Sequence, residues 1–162
     1  MQARVSPGAA RRARLRRARR LRLELQVAVR GVRIPSVTRV RLWVRAALAR
    51  PAEVTVRVVG RSEARLLNRR YRGRNDAANV LSFPYGLSNG TLRGDLVLCA
   101  PVIRREAREQ GKTLEAHFAH MTVHGMLHLQ GHDHAKPRDA ARMEARERKL
   151  LAKLGYPDPY ES

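Results

Sequence analysis

The run from His124 to His134, HGMLHLQGHDH, constrains this chain more than any other feature. It closes a segment, Leu114 to Leu129, whose pattern predicts a helix ended by Gly131. On a helix, His124 and His128 project from one face about a turn apart, roughly 6 Å. That spacing suits two ligands on one zinc ion. Gly131 permits the left-handed conformation that ends a helix and turns the chain back, which delivers His134 toward the same point. One zinc per chain, held by His124, His128 and His134, is the expectation.

The skeleton His-x3-His-x2-Gly-x2-His matches the ligand spacing of one class of zinc peptidases in every position but one. In those peptidases the residue after the first histidine is a glutamate that serves as general base. Here it is Gly125. Without a carboxylate there, a peptide bond would be a poor substrate, because its amine leaving group needs a proton. A phosphodiester is more tractable, since zinc lowers the pKa of a bound water to about 7 and neutralises charge on phosphoryl oxygens.

Six histidines are present, so the choice of three needs a filter. Nitrogens on one tetrahedral zinc lie about 3 to 3.5 Å apart, whereas His120 and His128 start roughly 12 Å apart along a helix axis. They cannot both ligate. Pairing His120 with His124 stays open on geometry, but only His124 with His128 leads into the glycine turn and a third histidine. His117 and His120 are expected to pack on or near the helix, in reach of the ligands rather than among them. His132 is balanced between solvent and a place lining the site.

Net charge is +20, and residues 1 to 50 carry 15 arginines against the single acid Glu24. Such a field favours polyanions, of which nucleic acid is the commonest partner for a basic protein. Arginine replaces lysine almost throughout, so part of the excess is compositional bias. Residues 1 to 20 hold eight arginines and no acid, and read as a disordered arm. An acid-free, Arg-rich start is also a feature of mitochondrial presequences, but the hydroxyl residues favoured there are few. Cys99 is the only cysteine, which excludes an internal disulfide framework, suits a reducing compartment, and predicts a buried small hydrophobe. No run of 18 apolar residues occurs, so no membrane span is expected.

The remaining pattern predicts a mixed α/β fold: a small, mostly parallel sheet packed against several helices. Strands are expected near Leu23 to Val29, around Val54 to Val58, from Asn79 to Phe83, and from Leu92 to Cys99, the last two separated by a turn-rich Pro84 to Gly90. Helices are expected from Val37 to Leu48 with Ser36 as N-cap and Trp43 in the core, and after Ser62 up to Gly73. Three more should span Pro101 to Gln110, Leu114 to Leu129 and Pro137 to Leu154.

Several blocks together resemble the YbeY endoribonucleases, single-strand-specific zinc enzymes of ribosomal RNA maturation and ribosome quality control. They are VTVRVV at 54 to 59, LNRRYRGRNDAANVLSFP at 67 to 84, GDLVLC at 94 to 99, and EAHFAHMTVHGMLHLQGHDH at 115 to 134. MEARE at 143 to 147 and GYPDPY at 155 to 160 are similar too. The resemblance runs from about Leu23 to Tyr160, and implies one catalytic domain over 21 to 162. It also implies zinc on His124, His128 and His134, with His124 and Arg72 catalytic. An arginine offers a planar fork of donors suited to a phosphate and to charge developing in a transition state. The implied partners are single-stranded RNA, ribosomal RNA and the ribosome in the cytoplasm, with neither DNA nor membrane. Two departures stand out: Ala78 and Asn79 where the family usually has threonine, and His132 where it usually has tyrosine.

Two other classes compete. A zinc peptidase or other metallohydrolase would need a general base from elsewhere, such as Asp95 or Glu115. A non-catalytic ribosome-assembly factor would hold structural zinc, which normally has four protein ligands. Only three convincing ones are present unless His132 or Asp133 joins, which favours catalysis.

Overall fold

The computed structural model describes residues 6–18, 20–132 and 135–161. Ten elements follow one another: α1 (Pro7–Ala18), β1 (Leu21–Ala28), α2 (Val37–Ala47), β2 (Ala52–Val59), α3 (Arg61–Arg72), β3 (Val80–Ser88), β4 (Thr91–Cys99), α4 (Ala100–Glu109), α5 (Leu114–Leu129) and α6 (Pro137–Leu154). The sheet order is β1-β2-β4-β3. β1, β2 and β4 run parallel, and β3 is antiparallel to β4 along the edge. The expected mixed α/β class with a mostly parallel sheet is the fold of this chain.

Each face of the sheet buries its own cluster. On one face Val54, Val56 and Val58 of β2 and Leu96 and Leu98 of β4 pack under α2, α5 and α6, with Trp43, Phe118, Met126 and Met143 in the same core. The alternation of β2 puts those valines on the covered face and Thr55 and Arg57 on the other. On the second face Leu81, Val97, Cys99, Ala64 and Val102 form a smaller core, and Ala78 and Phe83 pack against it. Cys99 is buried and free, as its apolar context predicts. Trp43 is 1% exposed and donates Nε1–H to the Tyr156 hydroxyl at 3.2 Å.

Local signals place most element ends. Ser36 Oγ accepts from Arg39 N at 3.3 Å and Thr113 Oγ1 from Ala116 N at 3.1 Å, so α2 and α5 begin where a hydroxyl satisfies an orphan donor. Ser62 does not cap α3. Gly60 is its N-cap, because β2 runs straight into the helix and the first turn forms before the serine is reached. The segment expected as a turn from Pro84 instead continues β3 to Ser88, with a register shift between Pro84 and Gly86. Proline cannot donate to a ladder, and an edge strand tolerates it at such a bulge. The true turn is Asn89-Gly90, both at positive φ, the two-residue geometry that matches strand twist.

The stretch read as a disordered arm contains α1. Pro7 opens it, Ser6 Oγ accepts from Ala9 N at 3.2 Å, and its body is alanine and arginine, both good helix formers. It has no apolar face to bury, and its described side chains are exposed apart from a half-covered Ala9.

Candidate metal centre

Helix α5 is buried almost all round, and its histidines form one stripe on it. Successive ring centroids lie 5.9 Å apart for His117 and His120, 6.3 Å for His120 and His124, and 4.8 Å for His124 and His128. The last pair brings two imidazoles within range of one ion, as the four-residue spacing demands. Beyond Leu129, Gly131 (φ 95°) donates its N–H to the His128 carbonyl at 2.9 Å, and His132 donates to the Leu127 carbonyl at 3.0 Å. These two bonds close the helix in the left-handed motif that turns the chain back. His134, the third expected ligand, lies outside the described residues.

A carboxylate missed by sequence reasoning sits beneath the stripe. Glu147 of α6 is 0% exposed, and it accepts from His124 Nδ1, from His120 Nε2 at 3.2 Å, and from the Tyr160 hydroxyl. Burial alone would push this carboxyl up, but the donors from His120, His124 and Tyr160 outweigh it and hold it down at about 2. The carboxylate is therefore charged and acceptor-only, so Nδ1 of His124 carries the proton shared with it, and Nε2 is the atom that could hold a metal ion. A signal for Glu147 exists in the sequence. Met143, Glu147 and Leu151 recur every four residues on the buried face of α6, and a carboxylate in such an apolar stripe must be paired.

Among the described residues, His120, His124 and Glu147 also form a group that could hold a metal ion, with donor atoms within 4.8 Å of one another. His120 thus lies closer to the centre than the helical filter suggests. Its Nε2 turns toward Glu147, while its Nδ1 is buried without a hydrogen-bond partner. His117 donates toward Glu106 at 3.0 Å, and Asn79 reaches the same carboxylate at 3.1 and 3.2 Å. Asn79, one of the two departures from the family pattern, therefore anchors the start of β3 to α4. His132 is exposed and lines a cleft with Asp139, Arg142 and Arg146.

Arg72, Asp95 and Glu115 each have surroundings of their own. Arg72 ends α3, exposed, just before the left-handed Gly73 (φ 68°), and α3 packs on the sheet face opposite α5. Asp95 belongs to that opposite face as well and accepts from the Tyr85 hydroxyl at 2.5 Å. Glu115 is in the first turn of α5, engaged by Arg39 at 2.5 Å and by the Tyr156 hydroxyl at 2.6 Å. Both carboxylates are thus engaged by other side chains. Gly125 itself points into the sheet, where a Cβ would lie 2.2 Å from Leu96 Cδ1 and 2.8 Å from Val80 Cγ2. No helix among the described residues is long and apolar enough to cross a membrane.

A mixed α/β fold with a histidine stripe over a buried carboxylate could hold a metal ion, as a metal-dependent enzyme requires. The family model described as Endoribonuclease YbeY matches residues 36–155. An Endoribonuclease YbeY of Aromatoleum aromaticum is 56% identical over 144 residues, covering 87% of this chain and 93% of the relative. Another, from Thiobacillus denitrificans, is 53% identical over 143 residues, covering 88% and 97%. A third, from Nitrosomonas europaea, is 51% identical over 138 residues, covering 85% and 84%. The solution structure of a Thermotoga maritima protein shares the fold at a TM-score of 0.51 and 21% identity, covering 86% of this chain and all of that one. This chain belongs to the YbeY endoribonuclease family.

Proposed function

We propose that this chain is a zinc-dependent, single-strand-specific endoribonuclease. Its field of action is the cytoplasm, in ribosomal RNA processing that includes small-subunit 3′-end maturation, and in ribosome quality control. His124, His128 and His134 hold one zinc, and His124 and Arg72 are the catalytic residues. Residues 21 to 162 form the catalytic domain, and residues 1 to 20 form an arm that grips RNA.

The observation that carries this reading is the pairing of His124 and His128, rings 4.8 Å apart, with the Nδ1 of His124 committed to Glu147. A neutral imidazole whose far nitrogen donates to a carboxylate is the usual state of a metal-ligating histidine. A donor set of three imidazole nitrogens fits zinc. Bound there, zinc would supply a Lewis acid for a phosphoryl oxygen and an acidified water. The protein holds His124 in one tautomer, keeps Glu147 charged beneath it, and seats α5 rigidly on the sheet through Gly125. Arg72 offers a bidentate fork to the phosphodiester and to charge developing on it. A peptidase reading loses support from the same geometry, because Asp95 and Glu115 are engaged by Tyr85, Tyr156 and Arg39, and a side chain at position 125 would have to displace Leu96 and Val80.

Single-stranded ribosomal RNA incubated with zinc-loaded and chelated protein, with end-group analysis of the fragments, tests the proposal. Cleavage should require zinc and disappear in His128→Ala. The same variant combined with His134→Ala should lose most of the bound metal. Full zinc occupancy in that double variant, or cleavage indifferent to chelator, would overturn the reading.

A further inference from the structure

The geometry of a metal-ligating histidine depends on what holds its distal nitrogen, and in this protein that chain of hydrogen bonds runs on to the C-terminal segment. Tyr160 places its hydroxyl on Glu147, its ring edge-on to His120 at 5.4 Å, and its face under the Arg148 guanidinium at 5.1 Å. The segment is itself pinned. Asp158 accepts from Tyr160 N at 2.9 Å and from Arg148 Nε at 3.2 Å, and Lys112 Nζ donates to the Pro159 carbonyl at 2.7 Å. A wholly buried carboxylate needs several donors to stay charged, and Glu147 has three: two from α5 and one from the C-terminal segment.

We infer that Glu147 is the positioning residue of the metal centre, and that Tyr160 is a clamp which holds Glu147 in line with His124. The inference rests on His124 being a metal ligand, as proposed above. Removing the tyrosine hydroxyl leaves one carboxylate oxygen shared only with His120. Glu147 can then rotate toward His120 and loosen its hold on Nδ1 of His124. A metal-binding role for Glu147 itself is the rival use of the same atoms. It would require an ion to displace the protons of His120, His124 and Tyr160 together, and to take the nitrogen of His124 that Glu147 now holds.

The test compares the full chain with Glu147→Gln, Tyr160→Phe and His128→Ala. Zinc affinity is measured by competition with a chromogenic chelator, the melting midpoint is taken without zinc, and long-range proton-nitrogen spectra record the His124 ring tautomer in zinc-free protein. Glu147→Gln should bind zinc about 10- to 100-fold more weakly, the range for losing a carboxylate behind a ligand. Tyr160→Phe should shift affinity the same way by a smaller factor, with a zinc-free melting midpoint lowered by the donor that the buried carboxylate loses. The unaltered chain should show His124 protonated on Nδ1, and both variants should show a mixture. Unchanged affinity and an unchanged tautomer in both variants, with His128→Ala still losing zinc, would overturn the clamp and leave the metal centre standing. Two zinc ions per unaltered chain, with one missing from Glu147→Gln, would make Glu147 a ligand instead. If the unaltered chain and His128→Ala bind zinc equally poorly, the metal centre fails, and the clamp with it.

Discussion

Gly125 of α5 rides so close over Leu96 of β4 that a methyl group on the glycine would stand 2.2 Å from Leu96 Cδ1. The histidines on either side of this glycine owe their position to the close approach, because it sets how deeply the helix beds on the sheet beside β3. Ser82 of β3 secures the same point by donating to the Gly125 carbonyl at 2.8 Å. A glutamate at this position, whose absence argues against peptidase chemistry, would thus also have to push Leu96 and Val80 aside.

Gly125→Ala should destabilise the protein. Alanine gains about 0.5 to 1 kcal/mol over glycine in a helix interior, but forcing a methyl into a filled core costs about 1 to 3 kcal/mol. Packing wins, so the urea midpoint should fall, and Leu96→Ala should cost less in the Gly125→Ala chain than in the parent. A Gly125→Ala variant as stable as the parent would show that α5 has slack over the sheet.

Acid sensitivity should arise partly at His117. Burial is the main cause that lowers its pKa below the ordinary 6.5, with the Glu106 carboxylate opposing. The folded state therefore keeps this ring neutral where the unfolded chain takes up a proton. Stability from this group is fully present above about pH 6.5 and falls as pH drops from there toward the lower folded value. Urea midpoints at pH 8 and pH 5.5 should differ more for the parent than for His117→Gln. Equal differences would assign the acid sensitivity to other groups.

Arg72→Ala should lower the single-turnover rate at saturating RNA by about 10²- to 10³-fold, the usual scale for losing one donor to transition-state charge. Zinc content should not change, and RNA affinity should drop little. Arg72→Lys should restore only part of the rate, since an ammonium lacks the bidentate fork. Intact turnover with weakened affinity would reduce Arg72 to a backbone-binding charge, in keeping with its exposed place at the end of α3.

Deleting residues 1 to 20, with their eight arginines, should weaken binding to all RNAs alike. The slope of log affinity against log salt should become shallower by about 0.7 for each single-strand phosphate that the shortened chain no longer neutralises. Cleavage of saturating RNA should persist, because the histidine stripe and Arg72 remain. Identical slopes for the full and shortened chains would sink the idea of an RNA-gripping arm.

Features written into nearby residues were legible without coordinates. The ends of α5 and α6, the Ser36 cap, the left-handed glycine after α5, the strand of alternating valines and the four-residue spacing of His124 and His128 all follow from local sterics and helical or strand period. The helix in the arm was legible in its alanine and arginine content and was obscured by its charge. The extension of β3 past Pro84 was not, because only pairing with β4 makes a proline at a bulge compatible with a strand. The same limit governs the centre. Glu147 lies 23 residues beyond His124 and Tyr160 lies on a segment after α6, so no period in the chain links them. The protonated nitrogen of His124, the charge of the carboxylate behind it and the tight fit at Gly125 are set by which elements pack together, and packing is a property of the tertiary structure alone.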